Sequence, residues 1–284
     1  MDIYLLEAII NGLLLGGVLA LLSLGLNLIF GVIDVVWIVY AEIVMSAMYG
    51  VYWLYSYYHW PLLLACVAAI GIGALIGVLV HVVVIQPILG SAPINQLLAT
   101  GGLLFFLQSL ATLLFGTDYR NLGIRLPVIE IGDIFISFSR LIAFFMALVG
   151  AVLLYLFLAK TYLGTAIRAI AQDREIMGLM GVNERRIYVI TSAIGGGLAG
   201  LAACLLVLQY DVHPFIGLTF GPITFMVCVL GGLGNMIGGF IAAFIISQII
   251  AVGGYYFPVE VAEVLAFVFF IVMILVRPQG ILGK

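Results

Sequence analysis

Charged side chains are scarce in this chain. They make up 8% of its 284 residues, against roughly a quarter in a soluble domain, while hydrophobic residues reach 65%. A net charge of -3 leaves no basic surface for nucleic acid. The three cysteines, Cys66, Cys204 and Cys228, all lie in apolar runs, and none forms a CxxC pair, so neither a disulfide framework nor a metal site is indicated. The phosphate-binding pattern GxxxxGK[ST] is missing, since Lys160 and Lys284 follow no such loop, and HExxH and GxSxG are missing too. No catalytic constellation is left, and uphill transport would need ATP hydrolysis on another chain. The opening "MDIYLLEAII" carries Asp2 and Glu7 but no Lys or Arg, so it lacks the basic start of a cleaved signal peptide and reads as the outer lead-in to a retained span.

What is present is a succession of long apolar runs. About 20 residues of helix cross the hydrocarbon core, and only structures that satisfy their own backbone groups are stable there. Runs near 8–30, 35–57, 61–85, 94–115, 140–159, 187–208, 219–233, 236–254 and 260–276 predict an all-α polytopic membrane protein with eight or nine transmembrane helices, some short or broken. Two joins are ambiguous. "FGVIDVVW" interrupts its run with Gly31 and Asp34, and "VLGGLGNMIGG" separates two short segments with Gly231, Gly232, Gly234, Gly238 and Gly239.

Half of the ten Lys and Arg fall in "KTYLGTAIRAIAQDREIMGLMGVNERR", residues 160–186: Lys160, Arg168, Arg174, Arg185 and Arg186. Because cytoplasmic loops are enriched in these residues, the window is expected inside, the N-terminus outside, and the end carrying Arg277 and Lys284 inside. Arg120, Arg125 and Arg140, in a loop that also holds Asp118, Glu130 and Asp133, run against that scheme but are fewer. Leu163, Ala166, Ile167 and Ile170 recur at helical spacing, as do Ile176, Met177 and Met180, which predicts amphipathic helices. Asp173 is placed to cap a second short helix with Glu175 in its first turn, and Asn183 to cap the next span. The window reads either as a solvated loop or as two short helices on the cytoplasmic face whose methionines meet a protein partner.

"LGTAIRAIAQDREIMGLMGVNERRIYVITSAIGGGLAGLAA" closely resembles the cytoplasmic coupling segment of branched-chain amino acid ABC transporter permeases. "GLLLGGVLALLSLGLNLIFGV", "FMVCVLGGLGNMIGGFIAA" and "VRPQGILG" agree with the same family in the same order. The resemblance implies a type II ABC importer-like permease, residues 1–284 forming a single transmembrane domain with 160–186 as its coupling segment. Arg168, Ala169, Gln172, Asp173, Glu175, Met177, Met180, Gly181 and Asn183 would face the ATPase. It also implies two cytoplasmic ATPase subunits that carry ATP and Mg, no cofactor on this chain, a second related permease or a homodimer, an external substrate-binding protein, lipid around the spans, and a bacterial or archaeal inner membrane. Where these permeases read "NFAHGE", this chain reads "WIVYAE": Glu42, Met45 and Tyr49 fit, whereas Trp37, Tyr40 and Ala41 depart. Trp37, Tyr40 and Glu42 are expected at the translocation path. The implied cargo is a branched-chain or other small amphipathic amino acid. The departure keeps urea, short amides or aromatic carboxylates open, and an ion-coupled secondary transporter is the alternative outside the class.

Glycines number 34, and the spacings Gly12/Gly16, Gly73/Gly77, Gly196/Gly200 and Gly234/Gly238 suit close helix contacts. The cluster around Gly231, Gly232, Gly234 and Asn235 would destabilise a continuous helix by roughly 1 kcal/mol per glycine, so it reads as a break, either a hinge lining a cavity or a cytoplasmic turn. Ionisable groups at bilayer depth cost about 2.5 to 3.5 kcal/mol or more and need a reason. Glu42 is the foremost case, Asp34 is expected at the inner interface, and His81 is expected to make a structural hydrogen bond.

Overall fold

The structure, a computed structural model, describes residues 3–124, 127–131 and 134–283. Asp2, Arg125, Asp133 and Lys284 lie outside the described residues, as do the side chains of Glu130 and Glu175. The chain is an all-α polytopic membrane protein. In order come α1 (Ile3–Ile33), α2 (Tyr40–Ser56), α3 (Leu62–Val80) continued by a π-helical turn (His81–Ile85) and α4 (Gln86–Ile88), then α5 (Pro93–Phe115). A hairpin follows, β1 (Val128–Ile131) and β2 (Ile134–Ser137), then α6 (Phe138–Lys160), α7 (Tyr162–Gln172), α8 (Arg174–Leu179), α9 (Glu184–Leu206), α10 (Ile216–Gly231), α11 (Met236–Tyr256) and α12 (Val259–Val276).

All nine apolar runs become helices. Among the described residues seven are long and apolar enough to cross a membrane, α3 counted with its continuation. The other two, α2 with 17 residues and α10 with 16, adjoin the two ambiguous joins. The breaks have backbone causes. Asp34 takes a left-handed φ of 59° and ends α1, while Gly232 at φ 100° and Gly234 at φ 79° end α10.

α1 is the central post, buried on nearly all sides from Leu14 to Ile33. Small residues let its neighbours close in. A Cβ on Gly12 would lie 2.8 Å from Ala251 Cβ, and one on Gly16 2.7 Å from Ser247 Oγ, both on α11. A second seam joins α3 to α9, where Gly73 and Gly77 face the backbone of Gly196 and Gly200. Lipid is as apolar as leucine and gives helices no hydrophobic reason to associate, so such backbone-to-backbone packing carries the association. Apolar faces of α5, α6 and α12 remain exposed, the pattern of lipid-facing helices.

Candidate functional site

Between Asp34 and Tyr40 the chain is not helical, and Val35, Trp37 and Val39 alternate into the core. This segment returns into the bundle. At one end a Cβ on Gly31 would sit 3.1 Å from Gly234 Cα, just past the end of α10, whereas Glu42 meets Gly217 at the start of α10. Gly217 and the end of α10 at Gly231 are about 20 Å apart at 1.5 Å per residue, so α2 begins well inside the bundle.

Glu42 is completely buried. Its Oε1 accepts a hydrogen bond from Gln108 Nε2 of α5 at 2.9 Å, while its Oε2 has no partner. The space is so close that a Cβ on Gly217 would run into the carboxyl group. One turn on, Ser46 donates to the Glu42 carbonyl at 2.8 Å. Met45, Ser46 and Tyr49 then line a cavity of about 480 Å³ with apolar residues of α3, its π-turn and α5, including Leu107 and Ala111 on either side of Gln108. Tyr49 stacks on Phe115 with 4.3 Å between ring centroids, and its hydroxyl is buried without a partner. The arrangement is a buried polar anchor, one of its carboxyl oxygens unpartnered, one helical turn away from the lining of an apolar cleft.

Two of the three departures from the family pattern, Trp37 and Tyr40, take a different place from Glu42. Trp37 is 1% exposed and Tyr40 2%, and both side chains serve helix packing. The Tyr40 hydroxyl donates to the Gly195 carbonyl of α9 at 3.2 Å and presses on Gly25 of α1.

The glycine break lies at the other end of α10, beside the end of α1. Asn27, fully buried, receives the Gly234 N–H on its Oδ1 at 3.0 Å and donates to Ser23 at 3.2 Å. Asn235 caps α11 by accepting from Gly238 N at 3.0 Å. The C-terminal segment after α12 fills the break. Ile281 N donates to the Leu230 carbonyl at 2.8 Å, and Asn235 Nδ2 donates to the Leu282 carbonyl at 2.7 Å. Gly231 and Gly232 have no room for a side chain, because Gly239 and Gly283 back directly onto them.

The polar window forms the two short helices expected of it. Asp173 Oδ1 caps α8 by accepting from Ile176 N at 3.0 Å, and Asn183 Oδ1 caps α9 by accepting from Arg186 N at 3.2 Å. The amphipathic stripe of α7 turns mostly inward. Ala166, Ile167 and Ile170 are buried against this chain's own core, and Met177 packs there as well, whereas Leu163 is exposed. The apolar surface left open is Tyr162 and Leu163 on α7 and Ile176, Leu179 and Met180 on and just after α8, with Arg168, Gln172 and Gly181 exposed around it and Ala169 half-buried. Arg174 stays partly exposed. It pairs with Asp34 at 3.6 Å and donates to the Ile33 carbonyl at 3.4 Å, so the window is tied to the end of α1. Asp34 is exposed at this junction, as expected of an interface residue. His81 differs from expectation: its Nδ1 finds no hydrogen-bond partner, and the ring packs edge-on to Tyr188.

Sequence reasoning missed Gln108, Gly217 and the packing of the segment after Arg277. Gln108 carried a signal, a lone amide in the apolar run of α5 that has to find a partner. Gly217 carried none.

The family described as branched-chain amino acid transport system, permease component, matches residues 8–277. The chain is 29% identical to the high-affinity branched-chain amino acid transport system permease protein BraD of Pseudomonas aeruginosa, over 98% of this chain and 96% of that protein. It is equally 29% identical to LivH of Escherichia coli, over 99% of this chain and 96% of the relative. A probable LivH of Methanocaldococcus jannaschii is 28% identical over 46% of this chain and 44% of the relative. No solved structure matches.

Proposed function

The chain belongs to the family of branched-chain amino acid transport permease components, and from that premise we propose that it is the membrane-spanning subunit of an ATP-driven importer of branched-chain or other small amphipathic amino acids. Residues 1–284 act as one permease domain that forms the path with a second related permease subunit. Two ATPases dock on residues 160–186 from the cytoplasm, and an external binding protein delivers cargo at the opposite end. In this reading the N-terminus lies outside and the C-terminus inside a bacterial or archaeal inner membrane.

The observation that carries the reading is the α7–α8 pair. Its inner face is seated on the bundle, Ile176, Leu179 and Met180 are left open, and Arg174 grips the last carbonyl of α1. A partner that closes on α8 therefore moves the joint between α1 and α2. Beyond that joint α2 carries Glu42, whose bond to Gln108 fastens α5 beside the apolar cleft. A shift of α2 against α5 changes the width of that cleft, which is how a cytoplasmic motion would reach cargo.

Reconstitution tests this. The chain, reconstituted with a second permease, the ATPases and a binding protein of the same transport system, should take up leucine into proteoliposomes only with ATP. Uptake that proceeds without the ATPases would sink the reading.

A further inference from the structure

A second cavity, about 640 Å³, opens at the other end of α1 from Asp34 and Arg174. Glu7 and Asp34 are separated along α1 by about 40 Å at 1.5 Å per residue, so this cavity faces the side of the bundle away from the coupling helices. Its rim is charged with both signs: Glu7 and Asn11 on α1, Arg140 on α6 and Glu263 on α12. Its walls are apolar, Leu15 and Leu19 of α1 facing Phe220 and Ile223 of α10.

The charges are held ready without cancelling one another. Arg140 Nη1 donates to Asn11 Oδ1 at 2.8 Å, which fixes the guanidinium. Its other N–H groups stay available, since the side chain has five donors. Among the described residues the one ion pair is between Arg174 and Asp34, so no described residue forms an ion pair with Arg140, Glu7 or Glu263. Tyr210 lies among these charges: burial pushes its phenol up, Arg140 lowers it and Glu263 raises it. A purely apolar ligand would leave three charged groups idle. A cation would face the guanidinium, and an anion would face two carboxylates. A zwitterion satisfies both signs, and an aliphatic side chain fits the walls below.

We propose that this cavity is a binding site for a zwitterionic amino acid with an apolar side chain, taken up before it enters the path toward Glu42. Arg140 receives the carboxylate, Glu7 and Glu263 receive the ammonium, and the α1–α10 wall receives the side chain. The choice of ligand rests on the import reading above.

The test is equilibrium binding to the purified permease complex in nanodiscs, without binding protein or nucleotide, using three probes: leucine, leucinamide, which lacks the carboxylate, and 4-methylpentanoate, which lacks the ammonium. Leucine should bind at least about ten-fold more tightly than either analogue, the scale of one charge-assisted contact. Arg140→Gln should abolish the preference over leucinamide, and Glu7→Gln with Glu263→Gln the preference over 4-methylpentanoate. Retention of the ATPases on purification reports folding, and if Arg140→Gln fails to assemble, the Glu7/Glu263 arm makes the same comparison. Equal binding of all three probes, or charge variants that bind leucine as the unmodified chain does, overturns the proposal. ATP-driven leucine uptake by the same preparation separates the two readings. Uptake without charge-dependent binding rejects this site and leaves the importer standing, whereas charge-dependent binding without uptake keeps the site and rejects the cargo assignment.

Discussion

Arg174 in the first turn of α8 pairs with Asp34 across 3.6 Å and reaches the Ile33 carbonyl at 3.4 Å. The α7–α8 pair is thereby fastened to the joint where α1 ends. Both side chains are substantially exposed, 42% and 69%, so the link is an orienting contact more than a store of stability.

Arg174→Ala should therefore leave assembly intact and lower stability by less than about 1 kcal/mol. Leucine uptake per ATP hydrolysed should fall, whereas hydrolysis continues. The charge swap Arg174→Asp with Asp34→Arg should recover part of the loss. Unchanged uptake per ATP in Arg174→Ala would reduce the contact to decoration.

Met180→Asp and Ile167→Asp separate docking from folding. Met180 is 76% exposed, so an aspartate there meets water in the free permease and is stripped of it only under a docked ATPase. The expected phenotype is a well-folded permease that loses its ATPases on purification. Ile167 is 1% exposed, and Ile167→Asp should instead lower the yield of folded protein. Full ATPase retention and full uptake in Met180→Asp would leave α8 as a loop with no docking role.

Glu42→Ala leaves Gln108 Nε2 buried without an acceptor, which costs about 1 to 3 kcal/mol. Glu42→Gln keeps an oxygen for that bond and should retain more uptake. Thermal unfolding and uptake measured together check the order. Equal, unmodified behaviour of both variants would make the Glu42–Gln108 bond dispensable.

Gly217→Ala pushes a methyl group into the Glu42 carboxyl group and should destabilise the permease by about 1 to 3 kcal/mol. Removing the obstruction should help. The double variant Gly217→Ala with Glu42→Ala should be less harmful than the sum of the singles by more than about 0.5 kcal/mol, because the two sites touch. Strict additivity would contradict the contact.

Gly232→Val places a β-branched residue at φ 100° and against Gly283, straining the backbone by about 1 to 3 kcal/mol and displacing the C-terminal segment. Uptake should fall more than assembly with the second permease does. Deleting residues 279–284 should resemble it, since Leu230 loses its Ile281 donor. Normal uptake in both would show that the break needs neither its glycine nor the segment packed on it.

The helices of the nine apolar runs, the two breaks and the caps made by Asp173 and Asn183 were legible in the sequence, because each depends on apolar run length or on atoms within three or four residues of one another; the number of spans was legible only loosely, eight or nine being expected where seven described helices are long and apolar enough to cross. The resemblance added the family on the same footing, from contiguous motifs. Tertiary structure alone decided what joined distant parts. Gln108 meets Glu42 from 66 residues away, Arg174 meets Ile33 from 141, and Gly234 meets Asn27 from 207. No local pattern announces such a partner, since a buried polar group states only that it needs one. The α7 stripe shows the same limit. Helical spacing put Ala166, Ile167 and Ile170 on one face, but whether that face met the protein's own core or another subunit depended on how α6 and α9 brought it against the bundle. They turned it inward, and α8 was left to face outward.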